Sequence, residues 1–164
     1  MGFVVLDTDV LASASPQEDE RAQKGWQLLQ CLIHECHILL VSPCLWQEYK
    51  RISAASMGLG KLTSYAFAKI EMASEPQDKE SKERLQQLGV DEKDVNWILL
   101  AVDYQAVFVT WEKHAPRRHR SETREQEHQR VARAVEDEFG VCIWHPDYAL
   151  KRLCSESRQK RRSW

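Results

Sequence analysis

The chain has 164 residues, of which 43% are hydrophobic and 29% charged, and a formal net charge of −2. That length fits one domain with little room for a second, and the composition supports a packed core and excludes an intrinsically disordered chain. No apolar run is long enough to span a bilayer, and the N-terminus lacks the basic, apolar and small-residue regions of a signal peptide. The five cysteines, an odd number with no regular framework, point to reduced thiols and a cytosolic setting. Net charge names no partner by itself, but basic residues concentrate in Lys113–Arg133 and Lys151–Arg162.

Phe3–Leu6 is a continuous apolar run, which suits a strand buried on both faces of a parallel sheet. Asp7 and Asp9 follow at once. In an extended chain their two-residue spacing turns both to one side; the plainer reading is that one caps the next element and the other is solvated. Ser15 and Glu18 have capping-box spacing and Pro16 suits a first turn, which predicts a helix from Pro16 to His34 burying Trp26, Leu29 and Ile33. His37–Val41 reads as a second strand. Ser42-Pro43 opens a helix carrying Leu45, Glu48, Tyr49 and Ile52, and Gly58-Leu59-Gly60 is expected to break it. Leu62, Tyr65, Ala66 and Ile70 are spaced as an apolar helical face over Lys61–Met72. Ser74–Glu83 reads as a loop or weak helix start, closed by Leu85, Leu88 and Gly89.

Asp91 and Asp94 open a helix that carries Val95, Ile98, Leu99 and Val102, where carboxylates suit the unpaired backbone N–H groups. Ala106–Thr110 is a short strand followed by Trp111-Glu112-Lys113-His114. Pro116–Arg120 is a basic loop, and Ser121–Phe139 a charged helix with Val131, Ala132 and Val135 on one face, stopped at Gly140. Val141–Trp144 is a closing strand and Pro146–Leu153 a closing helix. Ser155–Trp164 is a basic tail expected to fray. Strands alternating with helices predict a three-layer α/β fold around a parallel sheet of four strands, with room for a short fifth in the loops.

On that scheme Asp7, Asp9, Glu48 and Glu112 fall at the carboxyl end of the sheet, where open α/β sheets bind ligands. Asp94 joins them because its helix runs antiparallel to the strand that follows. Acids gathered in one crevice raise one another's pKa values, and a divalent cation relieves that penalty. Incomplete all-oxygen ligation suits Mg²⁺ or Mn²⁺.

Four segments, Val4-Val5-Leu6-Asp7-Thr8-Asp9, Ser42-Pro43 through Glu48 to Arg51, Asp94-Val95-Asn96-Trp97, and Val107-Phe108-Val109-Thr110-Trp111-Glu112, appear in the order and spacing of the PIN-domain family of metal-dependent nucleases, which the chain resembles up to Leu153. The resemblance implies a single Rossmann-like PIN domain over residues 1–154 with a basic tail at 155–164. It also implies a Mg²⁺ or Mn²⁺ site formed by Asp7, Glu48, Asp94 and Glu112, with Thr110 hydrogen-bonded inside the acidic cluster. Metal-activated water would then cut RNA or single-stranded nucleic acid, leaving 5′-phosphate and 3′-hydroxyl ends. Small members of the family include VapC-type toxins, so an antitoxin partner and a homodimer are implied too, with Lys61–Leu88 as the dimer contact. Two departures stand out. Glu112 replaces the family's usual Asp, and Asp9 stands where Asn or Ser is common, adding a charge that either binds a second ion or shapes the loop.

Arg51, Lys113, Arg117, Arg118 and Arg120 are candidates for phosphate contacts beside the site, against a plain solvated basic face. Trp111 is a candidate for stacking on a base. Cys31, His34, Cys36 and His37 supply zinc-ligand types in a short span, but across a helix end and a strand start, where they point in different directions. A haloacid-dehalogenase phosphatase shares the opening strand and Asp-x-Asp but needs later groups that this chain lacks. The closer alternative is a catalytically weak PIN-fold protein that binds RNA or acts as a scaffold.

Overall fold

A computed structural model of the chain describes residues 2–14, 19–65, 70–111 and 123–154. The apolar run Phe3–Leu6 forms β1 and is followed directly by a short helix, α1 (Thr8–Ser13). Then come α2 (Glu20–His34), β2 (Ile38–Val41), α3 (Pro43–Arg51), α4 (Ser53–Tyr65) and β3 (Ile70–Met72). The second half holds α5 (Lys79–Leu88), α6 (Glu92–Asp103), β4 (Val107–Val109), α7 (Arg124–Phe139), β5 (Cys142–Trp144) and α8 (Pro146–Leu153). The five strands form one sheet in the order β3-β2-β1-β4-β5, with every pairing parallel. This is the expected three-layer α/β fold.

The sheet is the core. Val4, Val5, Leu6, Leu39, Leu40, Val41, Phe108 and Val109 are all buried, as strands covered by helices on both faces must be. Ser42 caps α3 by accepting from the Leu45 N–H, with Pro43 in the first turn, and Asp91 caps α6 by accepting from Lys93. Among the described residues no helix is long and apolar enough to cross a membrane.

Several expectations need correction. The chain does not stay extended after β1: α1 starts at Thr8, so Asp7 lies before the helix and Asp9, inside it, is exposed. The helix predicted from Pro16 begins at Glu20 with Asp19 as its cap, and the expected capping residues Ser15 and Glu18 lie outside the described residues. Ile70–Met72 is not helical but pairs with β2, Leu39 opposite Ile70. A three-residue edge strand is too short to show a period, and Ile70 happened to continue the spacing of the helix before it. Of the two readings of Ser74–Glu83, a loop or a weak helix start, the second holds in its later half: a full helix, Lys79–Leu88, capped by Asp78, begins there.

The thiols also depart from expectation. Cys31 and Cys154, 123 residues apart in sequence, are joined as a disulfide with Cα atoms 5.6 Å apart, while Cys36, Cys44 and Cys142 are free. The packing of α2 on α8 brings the pair together, and no local spacing could have announced it. Cysteine usage therefore no longer indicates a compartment. With Cys31 bonded, the zinc grouping is also dismantled: His34 and Cys36 are exposed, and the buried His37 places Nε2 3.2 Å from the Leu153 carbonyl.

Gly58-Leu59-Gly60 does not break a helix either. The break falls at Ile52, and α4 runs through both glycines. The reason is packing: a Cβ on Gly58 would lie 2.8 Å from the Leu11 carbonyl oxygen of α1, whereas one on Gly60 meets nothing within 4 Å. The two glycines thus predict opposite effects. Gly60→Ala should stabilise by about 0.5–1 kcal/mol through helix propensity. Gly58→Ala should destabilise by about 1–3 kcal/mol by forcing α4 off α1. Urea unfolding of the two variants checks the pair of signs.

Candidate functional site

The order β3-β2-β1-β4-β5 reverses direction between β1 and β4, which makes the gap beyond their carboxyl ends the topological switch point of the sheet. Asp7 is the first residue past β1 and sits at that gap. Its backbone N–H donates to the Val109 carbonyl at 2.9 Å, continuing the β1–β4 ladder by one bond. The Thr110 hydroxyl, just past β4, donates to the Asp7 carboxylate at 2.7 Å. Thr110 is itself buried, and its N–H donates to the Trp144 carbonyl at 3.1 Å.

Two residues of the site were not anticipated from sequence. Thr8, buried at the start of α1, donates its hydroxyl to Glu48 Oε1 at 3.3 Å, so the residue between the two aspartates orients the acid of α3. Tyr49, fully buried beside Glu48 in the chain, donates its hydroxyl to the Leu6 carbonyl. That bond ties α3 to the last residue of β1 and holds Glu48 on the Asp7 side of the sheet. Both had a signal: each stands next to a predicted acid and faces the core.

Burial pushes the Asp7 carboxyl up to about 6, and the charges of Asp9 and Glu48 add to the rise, while hydrogen bonds from the Thr110 side chain and the Thr8 backbone oppose it. The Tyr49 phenol is held well above its ordinary value, first by burial and then by the charges of Asp7 and Glu48. The region is therefore dry at its base and crowded with negative charge.

The other predicted acids fare differently. Asp94 lies half-buried in the first turn of α6, a helix packed on β1 and β4 that begins at the same end of the sheet. Asp9 faces solvent, though its charge reaches Asp7. Glu112 lies outside the described residues, as do Lys113, Arg117, Arg118 and Arg120, and Arg51 is exposed at the end of α3. Trp97 is buried and Trp46 partly buried against the core. Among the described residues, no three His, Cys, Asp or Glu side chains gather closely enough to hold an ion alone.

A family model described as PIN domain matches residues 3–114. The chain belongs to the PIN-domain family. No curated protein matches it. PIN domains are generally nucleases that act on nucleic acid and typically use divalent metals. The PIN match runs from β1 through β4 and so spans Asp7, Glu48, Asp94 and Thr110. The donor chemistry fits such a metal. Mg²⁺ keeps several waters and takes only one or two protein carboxylates, which Asp7 and Glu48 can supply. The Asp7 carboxyl, raised first by desolvation and further by the charges of Asp9 and Glu48, is a group whose anion a cation would stabilise.

This acidity has a sign that can be tested. In the unfolded chain Asp7 ionises near 3.8, but in the folded protein only near 6. Between these values the folded state binds the extra proton, so the stability contributed is present at low pH and lost as pH rises through about 6. Without metal, wild-type stability relative to Asp7→Asn should fall by on the order of 2–3 kcal/mol between pH 4 and pH 7. Urea denaturation in EDTA at the two pH values measures the difference; parallel pH dependence in both proteins would refute it.

Proposed function

We propose that this PIN-domain chain is a Mg²⁺- or Mn²⁺-dependent nuclease that hydrolyses phosphodiester bonds in RNA or single-stranded nucleic acid. One observation carries the reading: the half-buried Asp7 carboxylate at the sheet's switch point, hydrogen-bonded by Thr110 and lying in the field of Asp9 and Glu48. Asp7 and Glu48 would hold the ion, with Asp94 and Glu112 completing the family's acidic set. When bound, a divalent cation supplies water activation and charge stabilisation for phosphodiester displacement.

The chain's own residues do the positioning. Thr110 fixes the orientation of the Asp7 carboxylate, and Thr8 does the same for Glu48. Tyr49 and the apolar residues beneath it keep water from the underside of the site. No side chain is needed as a covalent nucleophile. The finer VapC-type reading, a toxin held by an antitoxin and paired with a second copy of itself, rests on family likeness alone. A second reading, a weak PIN-fold protein that binds RNA or acts as a scaffold, is the one that Glu112, standing where the family usually has Asp, leaves open.

Labelled single-stranded RNA incubated with Mn²⁺ or Mg²⁺ separates the two. The nuclease reading predicts fragments with 5′-phosphate ends that disappear with EDTA and in Asp7→Asn and Asp94→Asn. It also predicts a loss of about 10- to 100-fold in Thr110→Val, the magnitude expected when a ligand's hydrogen-bond partner is removed. Intact RNA that stays bound to well-folded protein would establish the binding reading instead.

A further inference from the structure

Trp111 follows Thr110 directly, just past the carboxyl end of β4. Its indole N–H donates to Ser13 Oγ at 3.1 Å, and the Ser13 hydroxyl donates to the Val10 carbonyl at 2.8 Å. The His145 ring meets Trp111 edge-on with centroids 5.2 Å apart. The indole is thus fixed to the end of α1 and the start of α8, and part of it is buried against the core. Above the ring lies the guanidinium of Arg21, an exposed residue of the first helical turns of α2, 4.8 Å from the ring centroid.

Arg21 differs from the other cation nearby. Lys24, one turn further along α2, is held by Glu20 at 2.7 Å and by Asp147 at 2.8 Å. No carboxylate among the described residues pairs with Arg21. A guanidinium lying over an aromatic face is attracted through its π-cloud and keeps its N–H donors for a planar anion or a phosphate. Resting on a ring that is anchored on three sides also removes much of the conformational freedom a long side chain would lose on binding.

We propose that Arg21, held over Trp111, takes a backbone phosphate of a single-stranded nucleic acid lying in the acidic site. The inference rests on the nuclease reading above. It places one positive charge of α2 over the ring of the residue that directly follows Thr110. A contact of this kind positions the strand without reading its sequence.

The test is the salt dependence of binding. A fluorescently labelled, mixed-sequence short RNA is titrated with the full chain across a salt series, with Ca²⁺ in place of Mg²⁺ and a gel to confirm that the RNA stays intact. Each phosphate neutralised on a single strand contributes about 0.7 to the slope of log affinity against log salt. Arg21→Gln should reduce the slope by about 0.7 and weaken binding severalfold for every sequence. Arg21→Lys should keep the slope, and Lys24→Gln should match wild type. An Arg21→Gln slope equal to wild type, or an equal drop in Lys24→Gln, would overturn the contact and leave the nuclease reading standing. Wild-type protein that neither binds the RNA nor cuts it with Mn²⁺ would remove the nuclease reading, and the contact with it.

Discussion

The hydrogen bond from the Thr110 hydroxyl to the Asp7 carboxylate, 2.7 Å long, closes the gap between the two central strands at the point where the sheet changes direction. Two opposing effects meet there. Burial disfavours the Asp7 anion, and the hydroxyl partly restores it, leaving a carboxyl balanced near 6. A group in this state costs stability in the absence of a counter-charge and gains it when a cation arrives. The neighbouring pieces serve the same arrangement. The bond from the Asp7 N–H to Val109 fixes the backbone, and the one from Tyr49 to Leu6 brings α3 and Glu48 alongside.

The short helix α1 decides which acids take part. Because it begins at Thr8, it buries that side chain beneath Glu48 and turns Asp9 to solvent. It also supplies Ser13, which anchors the Trp111 indole at the end of the helix away from Asp7. The close crossing of α4 over α1 at Gly58 keeps this helix in place. A residue far from the chemistry in sequence therefore supports the geometry of Asp7 and Trp111 together.

Much of this was legible in the sequence. The apolar runs of β1, β2 and β4 are strands buried at every residue after the first, whose pattern depends on burial alone. Asp7 and Thr110 could be placed because each directly follows such a run. What could not be read depended on tertiary contact. The Asp7-Thr8-Asp9 segment carries the same letters whether extended or helical, and the packing of α1 against α4 selects the helix. Gly58 reads as a helix breaker until the neighbouring carbonyl is seen. The disulfide between Cys31 and Cys154 and the resting place of Arg21 over Trp111 join segments that no local pattern connects. Glu127 is instructive in the opposite way: it lies four residues before Val131 on the apolar stripe of α7, so its burial was readable, yet neither carboxylate oxygen has a hydrogen-bond partner among the described residues.

The fold supplies a nuclease-type frame and the switch point supplies the place, so the central claim narrows to whether Asp7 is a cation-binding carboxylate. Calorimetric titration of Mn²⁺ into wild-type protein and Asp7→Asn at pH 7, with no nucleic acid present, tests it most directly. The account predicts saturable binding to the wild type that Asp7→Asn loses. Equal Mn²⁺ binding by the two folded proteins would contradict it.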